Sequence, residues 1–432
     1  MRRYWALFIP LSISDMIMIS AGPILAAGLS RLDRPEISLA AYGVAESVAI
    51  LFESPIIMLL HATTALARSR AAFRSLFRHM LVLDALLTAM TLAFAFIDPL
   101  YRLLFRTALG LPEEVAAAAR PAFQAMVLWP AAIGWRRVFQ GALIRQRRTA
   151  PVAWASFGRL AALAAVTAAG VALRADGATL AGVALGLSVI VEAALVTAFA
   201  RPAIAAEWEE EPGRPIPWRE FASLYWPLAM TSILVFVGKP LLSSGLARTA
   251  DAPQALALWP VVWTSTLLLA NGTRMVQQIS ITQVEGPRSL REVGRFAWSV
   301  AAAFGALLLI VAWTPLADAY LAGAVGLPAG LLPPAERALR ILCALPLLVA
   351  AENWLQAHLV RSGLSRPVNT GALINVAATM VPLFALARSW RGPGAELAAW
   401  CVLAGYMAEL AWLFARTRPV VRRLCGAASA TA

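Results

Sequence analysis

Long apolar stretches, separated by short polar or arginine-bearing connections, follow one another along almost the whole chain. A helix needs about 20 mostly apolar residues to cross the hydrocarbon core of a bilayer. The pattern predicts twelve such spans, at residues 5–29, 39–67, 80–104, 116–144, 151–173, 179–200, 221–246, 253–282, 296–321, 338–360, 367–386 and 397–415. The first follows Met1, Arg2 and Arg3 and so looks like a secretory leader. Its apolar run is longer than the roughly 7–15 residues of a leader's core, and a near copy recurs in mid-chain, so it reads as a membrane span.

Composition turns this pattern into a class. Of the 432 residues 60% are apolar and 14% charged, against about 45–50% and about 25% in globular domains. A soluble chain this poor in charge could not cover its own surface, which excludes a string of water-soluble domains and leaves an all-α integral membrane protein. The net charge of +13 would suggest nucleic acid in a soluble chain. Here the arginines gather in alternate connections and at both ends, notably at residues 68–78, 145–148 and 418–423. By the positive-inside rule both termini are then cytoplasmic, in a bacterial inner membrane. The partners implied are the lipid bilayer and a solute rather than nucleic acid, with the chain a monomer. Cys343, Cys401 and Cys425, scattered among three histidines, form neither a disulfide framework nor a metal spacing. No nucleotide-binding glycine loop or catalytic Ser/His/Asp order occurs, so neither enzyme activity nor a cofactor is expected.

The two halves repeat. Residues 8–31 align without a gap to residues 225–248, with Pro10/Pro227, Leu11/Leu228, Pro23/Pro240, Leu25/Leu242, Gly28/Gly245 and Arg31/Arg248 identical at an offset of 217. Pro130, Gln140, Leu143, Arg145, Pro151 and Val152 recur at an offset of 216 as Pro346, Gln356, Leu359, Arg361, Pro367 and Val368. The expected organisation is a six-span half at 1–200, an acidic, proline-rich cytoplasmic linker at 201–220, a second six-span half at 221–415 and a basic cytoplasmic tail at 416–432. Six spans per copy make the halves parallel, an arrangement of secondary transporters in which solute binds near mid-membrane between them. Pro23 and Pro240, deep in the first and seventh spans, are candidate gating kinks.

Ionisable groups inside spans cost about 2.5–3.5 kcal/mol each on insertion scales, so they face a cavity or a partner. Lys239, the chain's only lysine, precedes Pro240, and its counterpart in the first span is Gly22. Asn271, Arg274 and Gln278 are spaced to share one helical face. Arg136, Arg137 and Gln140 in the fourth span correspond to Glu352, Asn353 and Gln356 in the tenth. These place Lys239, Arg274, Asn271, Gln278, Arg137, Gln140, Asn353 and Gln356 as solute-binding candidates, and Asp15, Glu46, Glu53 and Glu352 as coupling carboxylates. Arg159, Asp84, Glu192 and Glu409 are equally well read as pairing with one another. His61 and His358 are open to proton relay or to plain packing.

Two six-span halves, each opening with a proline-bearing span, resemble the multidrug and toxin extrusion (MATE) architecture and its superfamily of flippases. The segments LFIPLSISD at 7–15, AYGVAESVAILFESP at 41–55 and LYWPLAMTSILVFVGKPLL at 224–242 further resemble the progressive ankylosis (ANK) family. That resemblance implies export of small polyanions such as pyrophosphate, ATP and other nucleotides, or citrate. Two alternatives stand beside it: a cation-coupled extruder of organic cations and a lipid-diphosphate flippase.

Overall fold

The computed structural model describes residues 2–146, 148, 150–207, 214–284 and 286–426. Its helices are, in chain order, α1 (Arg2–Ile19), α2 (Ala21–Leu29), α3 (Pro35–Ile57), α4 (Leu59–Leu66), α5 (Arg70–Phe96), α6 (Asp98–Arg102), α7 (Glu113–Ala125), α8 (Trp129–Arg145), α9 (Ala150–Ala172) and α10 (Gly177–Glu207). They continue as α11 (Trp218–Phe236), α12 (Gly238–Leu246), α13 (Ala252–Ala270), α14 (Val276–Gln283), α15 (Pro287–Trp313), α16 (Leu316–Asp318), α17 (Leu332–Leu342), α18 (Leu345–Arg361), α19 (Ser365–Leu386) and α20 (Gly394–Gly426). No strand occurs among the described residues.

Ten helical segments among the described residues are long and apolar enough to cross a membrane, where the sequence predicts twelve. The expected first and fourth spans are not among the ten, and both are divided, as several of the ten also are. The expected first span is α1 and α2, separated at Ser20, and the expected fourth is α7 and α8, separated at residues 126–128. Proline explains both divisions. Pro23 has no N–H for the carbonyl of Ile19, and Pro130 none for that of Met126, so each sits in the first turn of a new helix where a missing donor costs little. Breaks also interrupt other spans, at Met58, at Val237 and across residues 271–275. Val237 stands 217 positions after Ser20, and Met275 stands 217 after Met58. Large apolar side chains on the spans lie open, Val82, Leu86, Trp154 and Val381 being 61–68% exposed. Ten apolar helices with such surfaces make this an integral membrane protein.

Contacts divide the chain into two compact units. One comprises residues 1–27 and 248–432, the other residues 28–247. The grouping differs from the sequence halves at 1–200 and 221–415, since α1 joins the later helices and α11 with α12 joins the earlier ones. The expected linker is described only in part. α10 runs on to Glu207, residues 208–213 lie outside the described residues, and Ile216 is fixed by its N–H on Ser75 Oγ at 2.8 Å and its carbonyl on His79 at 2.9 Å. The expected tail is helical up to Gly426 as the end of α20, and residues 427–432 lie outside the described residues.

In the first unit, Tyr4 and Phe8 of α1 pack on Phe296 of α15 with both centroids at 5.6 Å, within a cluster that includes Val276, Ile279 and Val293. Ser12 Oγ donates to the carbonyl of Gly272 at 2.7 Å and so ties α1 to the broken segment. Gly22 lies against Thr264, whose side chain would stand 2.7 Å from any added Cβ. In the second unit, Tyr225 Oη and Ser232 Oγ of α11 donate to the carbonyls of Pro55 and Ser54 at 3.0 and 2.7 Å. Ser54 Oγ serves the carbonyl of Leu51 at 2.7 Å, the group that Pro55 leaves without an N–H.

Candidate functional site

The second unit holds a buried charge cluster. Arg136 and Gln140 lie one turn apart on α8 and both face Glu192 of α10, which is 1% exposed. Arg136 donates to Glu192 in an ion pair, Gln140 Nε2 donates at 3.4 Å and Ser156 Oγ of α9 at 3.0 Å. Arg159, one turn after Ser156, places Nη1 3.7 Å from the same carboxylate. Arg137 donates to Gln140 Oε1 at 3.3 Å. Glu53 of α3 is buried and accepts from the indole N–H of Trp129, while Arg136, Arg137, Arg159 and Lys239 all act on it electrostatically. Glu46, half-buried, interacts with Tyr42 one turn before it and with Arg159. Three arginines thus lie among Glu192, Glu53 and Glu46, and Lys239 acts on Glu53 from outside the cluster.

Lys239 lies between Val237, where the helix breaks, and Pro240, and its side chain is exposed with no ion pair among the described residues. Its repeat partner Gly22 lies in the first unit, where the side chain of Thr264 in the same unit leaves no room for a Cβ. Pro240, like Pro23, sits in the first turn of the helix that follows its break, α12 or α2.

The first unit holds a different cluster at corresponding sequence positions. Gln356 Nε2 of α18 donates to Glu352 Oε1 at 2.7 Å and to Glu409 Oε1 of α20 at 3.3 Å. Asn375 Nδ2 of α19 donates to the other oxygen of Glu409 at 2.8 Å, and Gln277 of α14 donates to Gln356 Oε1 at 3.3 Å. Arg136, Gln140 and Arg159 match Glu352, Gln356 and Asn375 at an offset of 216, and Glu192 matches Glu409 at 217. In each unit the matched glutamine, Gln140 or Gln356, donates to the carboxylate Glu192 or Glu409; Arg136 and Arg159 join it in one unit, and Asn375 joins it in the other, where Glu352 is held by Gln356.

Arg274 follows the tightened turn Asn271–Thr273, where i to i+3 bonds replace α-helical ones: its N–H meets the carbonyl of Asn271 at 3.0 Å, and its own carbonyl accepts from Gln277 at 3.0 Å. Its guanidinium is exposed, in no ion pair among the described residues, and acts electrostatically on Glu352 and Tyr406. The break interrupts the helical face expected for Asn271, Arg274 and Gln278: Asn271 is half-buried and Gln278 exposed. Asn353 is buried and spends its amide on the carbonyl of Val349 at 2.7 Å, along its own helix. Asp15 lies in α1 with its side chain outside those described. Asp84 is buried against Gly134, and its Oδ1 has no hydrogen-bond partner among the described residues. Sequence reasoning passed over Ser156, Asn375 and Tyr406, and read Trp129 as an interface anchor where its indole N–H meets Glu53. The offset linking Arg159 to Asn375 could have found one of them.

Comparison with solved structures fixes the architecture. A multidrug resistance MATE family transporter of the MOP superfamily, in an inward-facing conformation, superposes with a TM-score of 0.73 over 95% of this chain and 96% of its own, at 14% identity. The fold is MATE-like. The lipid II flippase MurJ, in an inward closed conformation, gives a TM-score of 0.73 over 95% of this chain and 87% of its own at 10% identity. A MOP-superfamily transporter from Pyrococcus furiosus Vc1, described by a reverse polarity of its binding pocket that suggests a different function, gives 0.56 over 96% of both chains at 13% identity. No family model and no curated protein matches the sequence.

Proposed function

We propose that the chain is a secondary transporter that exports small polyanions by alternating access. The observation that carries this reading is the pair Lys239 and Arg274, two exposed cations at helix interruptions within apolar segments, neither in an ion pair among the described residues. Facing lipid, each would cost about 2.5–3.5 kcal/mol. Facing a water-filled cavity, each offers its charge to an anion, and interrupted helices are where transporters of this general kind build their sites. Arg137, whose hydrogen-bond partner among the described residues is Gln140, adds a further cation in the second unit. A solved structure of this fold is described by a reverse polarity of its binding pocket that suggests a different function, which supports assaying anions beside cations. The resemblance to the progressive ankylosis family points to pyrophosphate, nucleotides or citrate. The test is flux of these three solutes from proteoliposomes, wild type against Lys239→Ala. A loss in the variant supports the reading, and equal flux overturns it.

A second reading, a cation-coupled extruder of organic cations, draws on Asp15, Glu46, Glu53 and Glu352 as coupling carboxylates, the last of them held by Gln356. It expects drug resistance on overexpression that Asp15→Asn abolishes. The likeness to a lipid II flippase keeps a lipid diphosphate among the anions to be assayed.

A further inference from the structure

An open groove of 490 Å³ runs along the first unit between α15, α18 and α20. Its lining is mostly apolar and includes Trp298, Ala301, Ala351, Trp354, Met407 and Phe414. Trp298, Met407 and Phe414 are at least half exposed. Two of its walls run into arginine. On α15, Arg295 lies three residues before Trp298 on the same face. On α20 the stripe of Met407, Ala411 and Phe414 continues to Arg418, whose guanidinium lies 4.3 Å from the Phe414 ring centroid. At 1.5 Å per residue the backbones of Arg295 and Arg418 stand about 4.5 and 6 Å along their helices from those of Trp298 and Phe414. They stand at the same end, since Val421 of α20 packs on the cluster that holds Leu290 and Val293 of α15. Arg295 and Arg418 are exposed and in no ion pair among the described residues.

We propose that this groove holds the tail of an anionic phospholipid whose phosphate is bound by Arg295 and Arg418. Lipid tails gain little by exchanging one apolar surrounding for another, so the choice between lipids falls to the headgroup. Basic sites between membrane helices favour acidic headgroups for this reason. The inference rests on the first unit alone and is independent of the transported solute.

The test is native mass spectrometry of the delipidated protein, titrated with phosphatidylglycerol or phosphatidylcholine of identical chains. Phosphatidylglycerol is expected to bind about 25-fold more tightly, about fivefold per arginine. The preference should vanish in the double variant Arg295→Gln, Arg418→Gln, with phosphatidylcholine binding unchanged. Ala351→Trp, which fills the groove, should weaken both lipids. Equal affinity for the two lipids in the wild type, or a preference that survives the double substitution, overturns the proposal. So does a dimer that Ala351→Trp abolishes without altering lipid binding, which would give the groove to a second copy. Both arginines are exposed, so the double variant decides the matter even where Ala351→Trp fails to fold.

Discussion

Replacing Glu192 by Gln removes one negative charge from a nearly closed site and keeps the side chain's shape. Its carboxylate serves four groups: Arg136, Arg159, Gln140 and Ser156. At the 3.7 Å of the Arg159 contact, two unit charges attract by about 4.5 kcal/mol at an effective dielectric constant of 20, and Arg136 is closer. Desolvation takes back much of this in the intact site. In the variant the cost of burying Arg136 remains while its counter-charge is gone, and breaking such a pair from one side costs about 3–5 kcal/mol. For a cooperative unit of this size that lowers Tm by about 6–20 °C. The assay is thermal unfolding of the purified protein in detergent, followed by tryptophan fluorescence. The double variant Arg136→Met, Glu192→Leu should recover part of the loss, because an apolar pair of similar volume often replaces a buried ion pair at little cost. A Tm for Glu192→Gln within 2 °C of wild type, on the scale of about 2–4 °C per kcal/mol, would refute the reasoning.

Three further substitutions probe local arguments by the same melting assay. Gly22→Val drives a side chain into Thr264 and should destabilise by about 1–3 kcal/mol, whereas an unchanged Tm would mean that α2 and α13 are not held at that distance. Ser12→Ala removes the donor to the Gly272 carbonyl and should cost about 1 kcal/mol, with faster hydrogen exchange at residues 271–275. Gln356→Leu leaves Glu352 and Glu409 without the amide that joins them and should cost about 1–3 kcal/mol. Asn375 still serves Glu409 in that variant, so Asn375→Leu combined with it should cost more than either alone.

The membrane-spanning helices were legible because burial in lipid demands an unbroken apolar run of fixed length, and that demand leaves its mark in the sequence alone. The breaks were legible only where proline removes a donor, as at Pro23 and Pro240. The break after Ala270 contains no proline. It depends on Gly272 admitting Phe304 and on Ser12 reaching across from α1, neither of which a linear pattern shows. The repeat offsets were visible, but they record corresponding positions and not which helices touch, so the grouping of α1 with residues 248–432 could not be read from them. Among the candidates, the sequence marked Arg137, Lys239, Arg274 and Glu352 through their cost in an apolar setting, and Gln140 and Gln356 through the repeat offset. Asn375 and Ser156 escaped because neutral polar residues on a membrane helix are cheap enough to need no explanation. Asn353 went the other way: its position suggested a cavity, and its amide is used on its own backbone.

The claim that Lys239 and Arg274 serve an anionic solute is tested most directly by equilibrium binding of pyrophosphate to the purified protein at low ionic strength. Lys239→Gln and Arg274→Gln should each weaken binding at least about tenfold, the equivalent of 1.4 kcal/mol, with Lys239→Arg retaining most of the affinity. Pyrophosphate affinity equal to wild type in both neutral variants would contradict the account.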